Sequence, residues 1–84
     1  MGVYMVERNL AGISMEALAN AQAAAISKTE GTQTRYIRSV FVPNDGRCFC
    51  LFEAADAEAV KKANDSAGLP YNDVVSALDL PRPD

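Results

Sequence analysis

The sequence contains no histidine and no tryptophan, and only two cysteines occur among its 84 residues. The missing histidine excludes imidazole acid/base catalysis at neutral pH and any zinc site built on histidine. Basic residues are also scarce: eight Lys and Arg against eleven Asp and Glu give a net charge of -3. This balance argues against a nucleic-acid binder, which normally carries a basic stripe. Hydrophobic residues at 49% and charged residues at 23% instead predict one small globular domain over residues 1–80, with a short tail over 81–84.

Long apolar runs are absent as well. No stretch approaches the roughly 18–20 residues that a membrane span requires. The first residues lack the basic and apolar regions of a signal peptide, because Glu7 and Arg8 interrupt the apolar run. We therefore expect a cytoplasmic protein without membrane contact, in which Cys48 and Cys50 stay reduced.

The sequence pattern predicts six short secondary-structure elements. The composition predicts strands over 3–8, 34–42, 48–52 and 74–80, and helices over 15–28 and 57–67. Ser14 and Asp56 are suitable N-caps for the two helices. The segment Pro43-Asn44-Asp45-Gly46 is typical of a turn and joins the second and third strands into a hairpin.

The order β-α-β-β-α-β is that of ferredoxin-like folds. It predicts an α+β sandwich in which a four-stranded antiparallel sheet of order 4-1-3-2 carries both helices on one face. Two Ala-rich helices cannot hide all the large apolar strand residues, which are Tyr4, Ile37, Phe41, Phe49 and Leu51. Because an exposed apolar sheet face usually marks an interface, we predict a homodimer packed sheet face to sheet face.

Two polar residues interrupt the apolar stripes of the helices. Gln22 and Asn64 stand where Ala or Leu would be expected, and a buried amide without partners costs about 1–3 kcal/mol. Both are therefore candidates to face a common cavity, which Glu7 at the end of the first strand is also placed to reach. In the alternative reading both are boundary residues with their amide groups in water.

The remaining candidates are two thiols and the strand arginines. Cys48 and Cys50 point to one face because they are two residues apart in a strand, but a Cα separation of roughly 6.5 Å disfavours a disulfide. With no other cysteine and no histidine to complete a four-ligand site, they are predicted to be small apolar residues under the helices, or else Cys50 contacts a ligand. One of Arg8, Arg35 and Arg38 is a candidate to hold a carboxylate ligand, with Arg8 and Arg38 preferred; the alternative is protection of a sheet edge or weak surface ion pairs.

Several segments, in order along the chain, resemble a known family. They are Gly12-Ile13-Ser14, the strand from Arg47 to Ala54, Ala57-Glu58-Ala59-Val60, and Ala67-Gly68. Over about residues 3–80 the chain resembles a bacterial family of small ferredoxin-like proteins of unknown function that includes a nickel-binding protein. The most specific piece is Cys50-Leu51-Phe52-Glu53-Ala54.

The resemblance also carries an expectation about metal. The nickel-binding branch has histidines at the end of the first strand and inside each helix, and these positions correspond to Glu7, Gln22 and Asn64 here. One carboxylate and two amide oxygens suit a weakly held hard cation, whereas imidazole suits nickel. Nickel is therefore implied by the family and disfavoured by the residues, and no other cofactor is expected.

Three functions remain open. The first is a binding protein for a small polar ligand, with Glu7 as charged anchor and Gln22 and Asn64 as orienting amides, assisted by Arg8, Arg38 and Cys50. The second is a cofactor-free enzyme of the dimeric α/β-barrel type, such as an isomerase, cyclase or monooxygenase, with Glu7 as general base. The third is a structural or accessory dimeric module. The position of Glu7 relative to the two amides separates the first two from the third.

Overall fold

The predicted order of elements is confirmed. The computed structural model describes residues 1–83. Its elements are β1 (Gly2–Asn9), α1 (Met15–Thr29), β2 (Arg35–Val42), β3 (Arg47–Ala54), α2 (Ala57–Ser66) and β4 (Asp73–Ala77). The strands form one antiparallel sheet of order β2-β3-β1-β4. This is the predicted 4-1-3-2 order read from the other edge, so the ferredoxin-like fold is confirmed.

Both helices begin at the predicted caps. The Ser14 hydroxyl accepts a hydrogen bond from the backbone N–H of Ala17 at 3.1 Å. The Asp56 carboxylate accepts one from the N–H of Ala59 at 2.9 Å. Each bond satisfies a donor that the first helical turn leaves without a partner, which fixes where the helix starts.

The last strand is shorter than predicted. It ends at Ala77, which pairs with Val3, and Leu78 and Leu80 are 85% and 80% exposed. The physical reason is the register: β1 begins at Gly2, so hardly any of it remains to pair beyond Ala77. Residues 81–83 have no regular structure, and Asp84 of the predicted tail lies outside the described residues.

The sheet has one face covered by the helices and one open face. The covered face carries the buried side chains Val6, Cys48, Cys50 and Phe52. Strand alternation puts their neighbours on the other side, and these residues define the open face: Val3, Met5, Glu7, Phe49, Leu51 and Val75. Tyr4 and Phe41, expected among the uncovered apolar residues, instead pack against the core, because their partners Phe52 and Cys48 face the helices.

The edge strand β2 contains an irregularity that matters for the site. The register against β3 shifts between Tyr36, which pairs with Phe52, and Arg38, which pairs with Leu51. Ile37 is thus an extra residue of the kind that forms a β-bulge. Because of it, Tyr36 and Ser39 both project to the covered face, although residues three apart in a regular strand would face opposite ways.

Within residues 1–83, none of the helices has the length and apolar character that crossing a membrane would take.

Candidate functional site

A cavity of about 250 Å³ lies between α1 and the covered face of the sheet. Its walls are mostly apolar and come from β1 and the loop after it, from α1, from β2 and β3, and from the segment after α2. The apolar wall residues with large side chains are Leu10, Met15, Leu18, Phe41 and Leu69. Polar side chains are collected on the sheet side and at one rim: Arg8, Gln22, Tyr36, Ser39, Cys48 and Cys50.

Arg8 brings a buried positive charge to the cavity wall. The residue is only 5% exposed, and its guanidinium donates to the Asn64 side-chain oxygen at 2.8 Å and to the Pro70 carbonyl at 3.0 Å. Both acceptors are neutral. Within residues 1–83 no carboxylate oxygen lies within 4.0 Å of its nitrogens. Buried charges in proteins are normally paired with an opposite charge, so this site holds a cation without a counter-charge.

Asn64 on α2 holds that guanidinium in place. It is 1% exposed, and its Nδ2 donates to the Val60 carbonyl at 2.9 Å, while its backbone carbonyl accepts from the N–H of Leu69 at 3.0 Å. The Nδ2 bond fixes the amide so that Oδ1 faces Arg8. The polar residue on the apolar stripe of α2 is therefore a positioning group for the arginine.

A second network of hydrogen-bonded polar side chains crosses the sheet side of the cavity, starting at the α1 rim. Gln22, which is exposed, donates through Nε2 to the Tyr36 hydroxyl at 3.0 Å. That hydroxyl lies 2.7 Å from the Ser39 hydroxyl, which donates to the Cys50 sulfur at 3.0 Å. The bulge at Ile37 makes this network possible, because it turns Tyr36 and Ser39 to the same side of the sheet.

The two thiols lie side by side at the meeting point of these groups. Their Sγ atoms are 3.9 Å apart, and the residues are 2% and 6% exposed. Burial above all, and the neighbouring Cys50, raise the pKa of Cys48 to about 11 against an opposing effect of Arg8. At neutral pH the Cys48 thiol therefore keeps its proton and does not neutralise the guanidinium.

The structure gathers four of the six candidate residues. Arg8, Gln22 and Cys50 line the cavity, and Asn64 is bonded to Arg8. Arg38 lies apart on the exposed side of β2, in an ion pair with Asp79.

The expected convergence of Glu7 with Gln22 and Asn64 is wrong. Glu7 stands between the buried Val6 and Arg8 and pairs with Phe49, so alternation directs it to the open face. The charged residue that does reach the site is its neighbour in sequence. Arg8 is two residues after Val6 and therefore points to the same face of the sheet. Assigning Val6 to the core would thus have identified Arg8 as the residue that reaches the cavity.

Tyr36 and Ser39 were missed by the sequence reasoning. Nothing in the run Arg35 to Val42 signals that Ile37 is an extra residue, and a regular strand would separate the two hydroxyls. Of the residues described, no three His, Cys, Asp or Glu side chains come close enough together to hold a metal ion.

Comparisons with known proteins agree with this fold. A family model described as "Nickel responsive protein SCO4226-like" matches residues 4–76. The crystal structure of SCO4226 from Streptomyces coelicolor A3(2) superposes with a TM-score of 0.83 at 22% sequence identity, covering 93% of this chain and 99% of that chain. At this identity the likeness shows the fold alone. A search of curated proteins finds no match.

Proposed function

The chain belongs to the SCO4226-like family of nickel responsive proteins, and we propose that it binds a small organic acid in place of a metal. One observation carries the proposal. A buried guanidinium, Arg8, lies on the wall of a largely apolar cavity with no carboxylate in reach among residues 1–83.

The residues present do not fit nickel. Of the three positions that correspond to the histidines of the nickel-binding branch, Glu7 faces the open side of the sheet, Gln22 bonds to Tyr36 and Asn64 bonds to Arg8. They cannot form one set of ligands around one ion. The positive charge of Arg8 also disfavours a divalent cation in this cavity.

The positive charge of Arg8 would stabilise a bound anion. Taking an ion out of water costs several kcal/mol even after the protein relaxes, and a hydrogen bond to a charged group returns about 1.5–3 kcal/mol. Arg8 has five N–H donors, of which the bonds to Asn64 and Pro70 use two. A carboxylate entering the cavity would supply the missing counter-charge and match the planar fork of the guanidinium.

The cavity also limits the body of the ligand. About 250 Å³ is smaller than the roughly 300–1,000 Å³ of pockets for drug-sized molecules. The walls formed by Leu10, Leu18 and Phe41 favour an aliphatic or aromatic body. Gln22 and Tyr36 at the far rim can accommodate a second polar group. A small monocarboxylic acid with an apolar body fits this description.

Phenylacetate is a suitable first ligand for the test, with phenylacetamide as its uncharged counterpart. We expect phenylacetate to shift the amide resonances of residues around the cavity in NMR titrations. Arg8→Met should weaken its binding about 10- to 100-fold, since a charge-assisted bond of about 1.5–3 kcal/mol is lost. The matched control is Arg38→Met on the exposed side of β2, which should bind as the unmodified protein does. Equal binding of the amide, an equal loss in Arg38→Met, or no shifts with phenylacetate would contradict the proposal.

The enzyme hypothesis assigned the role of general base to Glu7. This residue lies on the open face, which is on the opposite side of the sheet from the cavity. The geometry therefore favours binding over a reaction that starts with proton abstraction by Glu7.

A homodimer through the open face remains our second proposal. The centre of that face is apolar, with Met5 opposite Leu51 and Val75. The charged residues at its β2 edge are paired within the chain, Arg35 with Glu53 and Arg38 with Asp79, and Asp73 lies on β4 at the other edge.

A two-fold axis parallel to the strands would place β2 of each copy over β4 of the other. It would also bury both apolar centres. The apolar centre of the open face is what supports a second copy as the occupant, and in such a dimer Glu7 becomes an interface residue.

A charge at the centre of the open face should break this dimer. We expect the unmodified protein to sediment with twice the mass of one chain at micromolar concentration, and Leu51→Arg to sediment as a monomer because it buries an unpaired charge in the interface. Ala23→Arg on the exposed face of α1 is the control and should leave the mass unchanged. A monomeric unmodified protein would contradict the dimer without affecting the proposal for the cavity.

A further inference from the structure

The proposed binding of an organic acid gives no role to the two thiols of the cavity. Cys48 and Cys50 both line the cavity, with their sulfurs 3.9 Å apart. The Ser39 hydroxyl donates to the Cys50 sulfur at 3.0 Å, and the positive charge of Arg8 lies near Cys48, where it opposes the larger effect of burial on the pKa of that thiol. A hydroxyl donor and a nearby positive charge both stabilise a thiolate more than a thiol, so they favour the metal-bound form of the pair.

We propose that Cys48 and Cys50 form a two-coordinate binding site for one soft monovalent cation, with copper(I) as the biological ion of that class. Thiolate ligands select such ions. The proposal is independent of the organic acid and concerns a different ligand of the same cavity.

The charges favour this ion over a divalent one. Two thiolates and one monovalent cation carry a net charge of -1, which the single positive charge of Arg8 balances. Two thiolates and a divalent cation are neutral, and Arg8 would keep its unbalanced charge. Nickel and zinc also require more ligands than two, and in the described part of the chain no third His, Cys, Asp or Glu joins the thiols.

The geometry requires little movement. A linear sulfur–metal–sulfur unit spans about twice the metal–sulfur bond, or roughly 4.6 Å with the zinc–thiolate bond of about 2.3 Å as an upper guide. The observed 3.9 Å can approach that span through small rotations about the two Cα–Cβ bonds. The open cavity leaves room for the sulfurs to separate in that direction.

The binding step balances without a redox partner. Two S–H bonds break, two sulfur–metal bonds form, and both protons leave to solvent. The metal keeps its oxidation state and no electron is transferred. Since protons are released, binding should tighten as the pH rises.

Silver(I) tests the site because it shares the charge and softness of copper(I) and is not oxidised by air. We expect one silver ion per chain in a chloride-free competition titration. X-ray absorption should show two sulfur neighbours for each silver ion. Cys48→Ser and Cys50→Ser should each weaken binding by at least about 100-fold, because a soft ligand is replaced by a hard one. Ser39→Ala keeps both thiols and should weaken binding about tenfold, the lower range for loss of a supporting hydrogen bond.

Three results would overturn the site. They are half a silver ion per chain, which means that the thiols bridge two copies; one or no sulfur neighbour in the unmodified protein; and nickel(II) binding as tight as silver(I). The absorption measurement uses the unmodified protein, so it decides the question even if a serine variant does not fold. Silver binding together with no response to phenylacetate would refute the organic acid and leave the metal site standing.

Discussion

Replacing Phe52 by alanine is expected to lower the free energy of unfolding by about 3–5 kcal/mol, the range for deleting a buried phenylalanine. Phe52 is 1% exposed at the centre of the core. Its ring meets that of Tyr36 edge to face, with the centroids 5.6 Å apart, so the change removes this contact and leaves a cavity under both helices. Urea denaturation monitored by circular dichroism measures the loss.

The control lies three residues earlier in the same strand. Phe49 is a partly buried phenylalanine on the open face, 5.3 Å from the Arg47 guanidinium. Phe49→Ala should cost clearly less than Phe52→Ala in dilute protein. If the open face is a dimer interface, the cost of Phe49→Ala should grow with protein concentration, whereas that of Phe52→Ala should not. Equal costs at all concentrations would mean that the two faces of the sheet are misassigned.

Replacing Gly46 by alanine should cost about 2–5 kcal/mol. Gly46 has a φ of +77°, and a Cβ built there would lie 2.4 Å from the backbone nitrogen and Cα of Ala11. The left-handed backbone accounts for about 1–2 kcal/mol, and forcing two backbone segments apart adds about 1–3 kcal/mol. The same urea experiment measures the loss.

The variant Gly68→Ala separates the cost of the left-handed backbone from the cost of forcing two backbone segments apart. Its φ is +70°, but nothing lies within 4 Å of a Cβ built there, so Gly68→Ala should lose only the conformational part of about 1–2 kcal/mol. If the two variants lose the same free energy, the close approach to Ala11 does not constrain the protein. The approach matters for the site because the Gly46 carbonyl accepts from the N–H of Leu10 at 2.7 Å, and Leu10 forms part of the cavity wall.

Local chemistry was enough to predict most of the fold. The caps at Ser14 and Asp56 and the turn over 43–46 are short-range features whose physics is contained in a few neighbouring residues. The strand order followed from the element order, because few topologies satisfy a β-α-β-β-α-β chain. The end of β4 was missed because it depends on where its partner β1 begins.

The site was predictable only in part. Asn64 and Gln22 stood out because an amide on an apolar stripe needs a partner, and both have one. Glu7 and Arg8 are adjacent, so one reaches the cavity and the other the opposite face. The sequence alone does not decide between them, because strand alternation fixes only that they differ.

The single extra residue in β2 shifts the phase of that strand. Before Ile37 one parity of residue numbers faces the helices, and after it the other parity does. As β2 lies at the edge of the sheet, only β3 has to accommodate the shift. A relative with one residue fewer here would present a different set of side chains to its cavity without a single substitution near it. Within one fold, the length of an edge strand can therefore change what a cavity recognises.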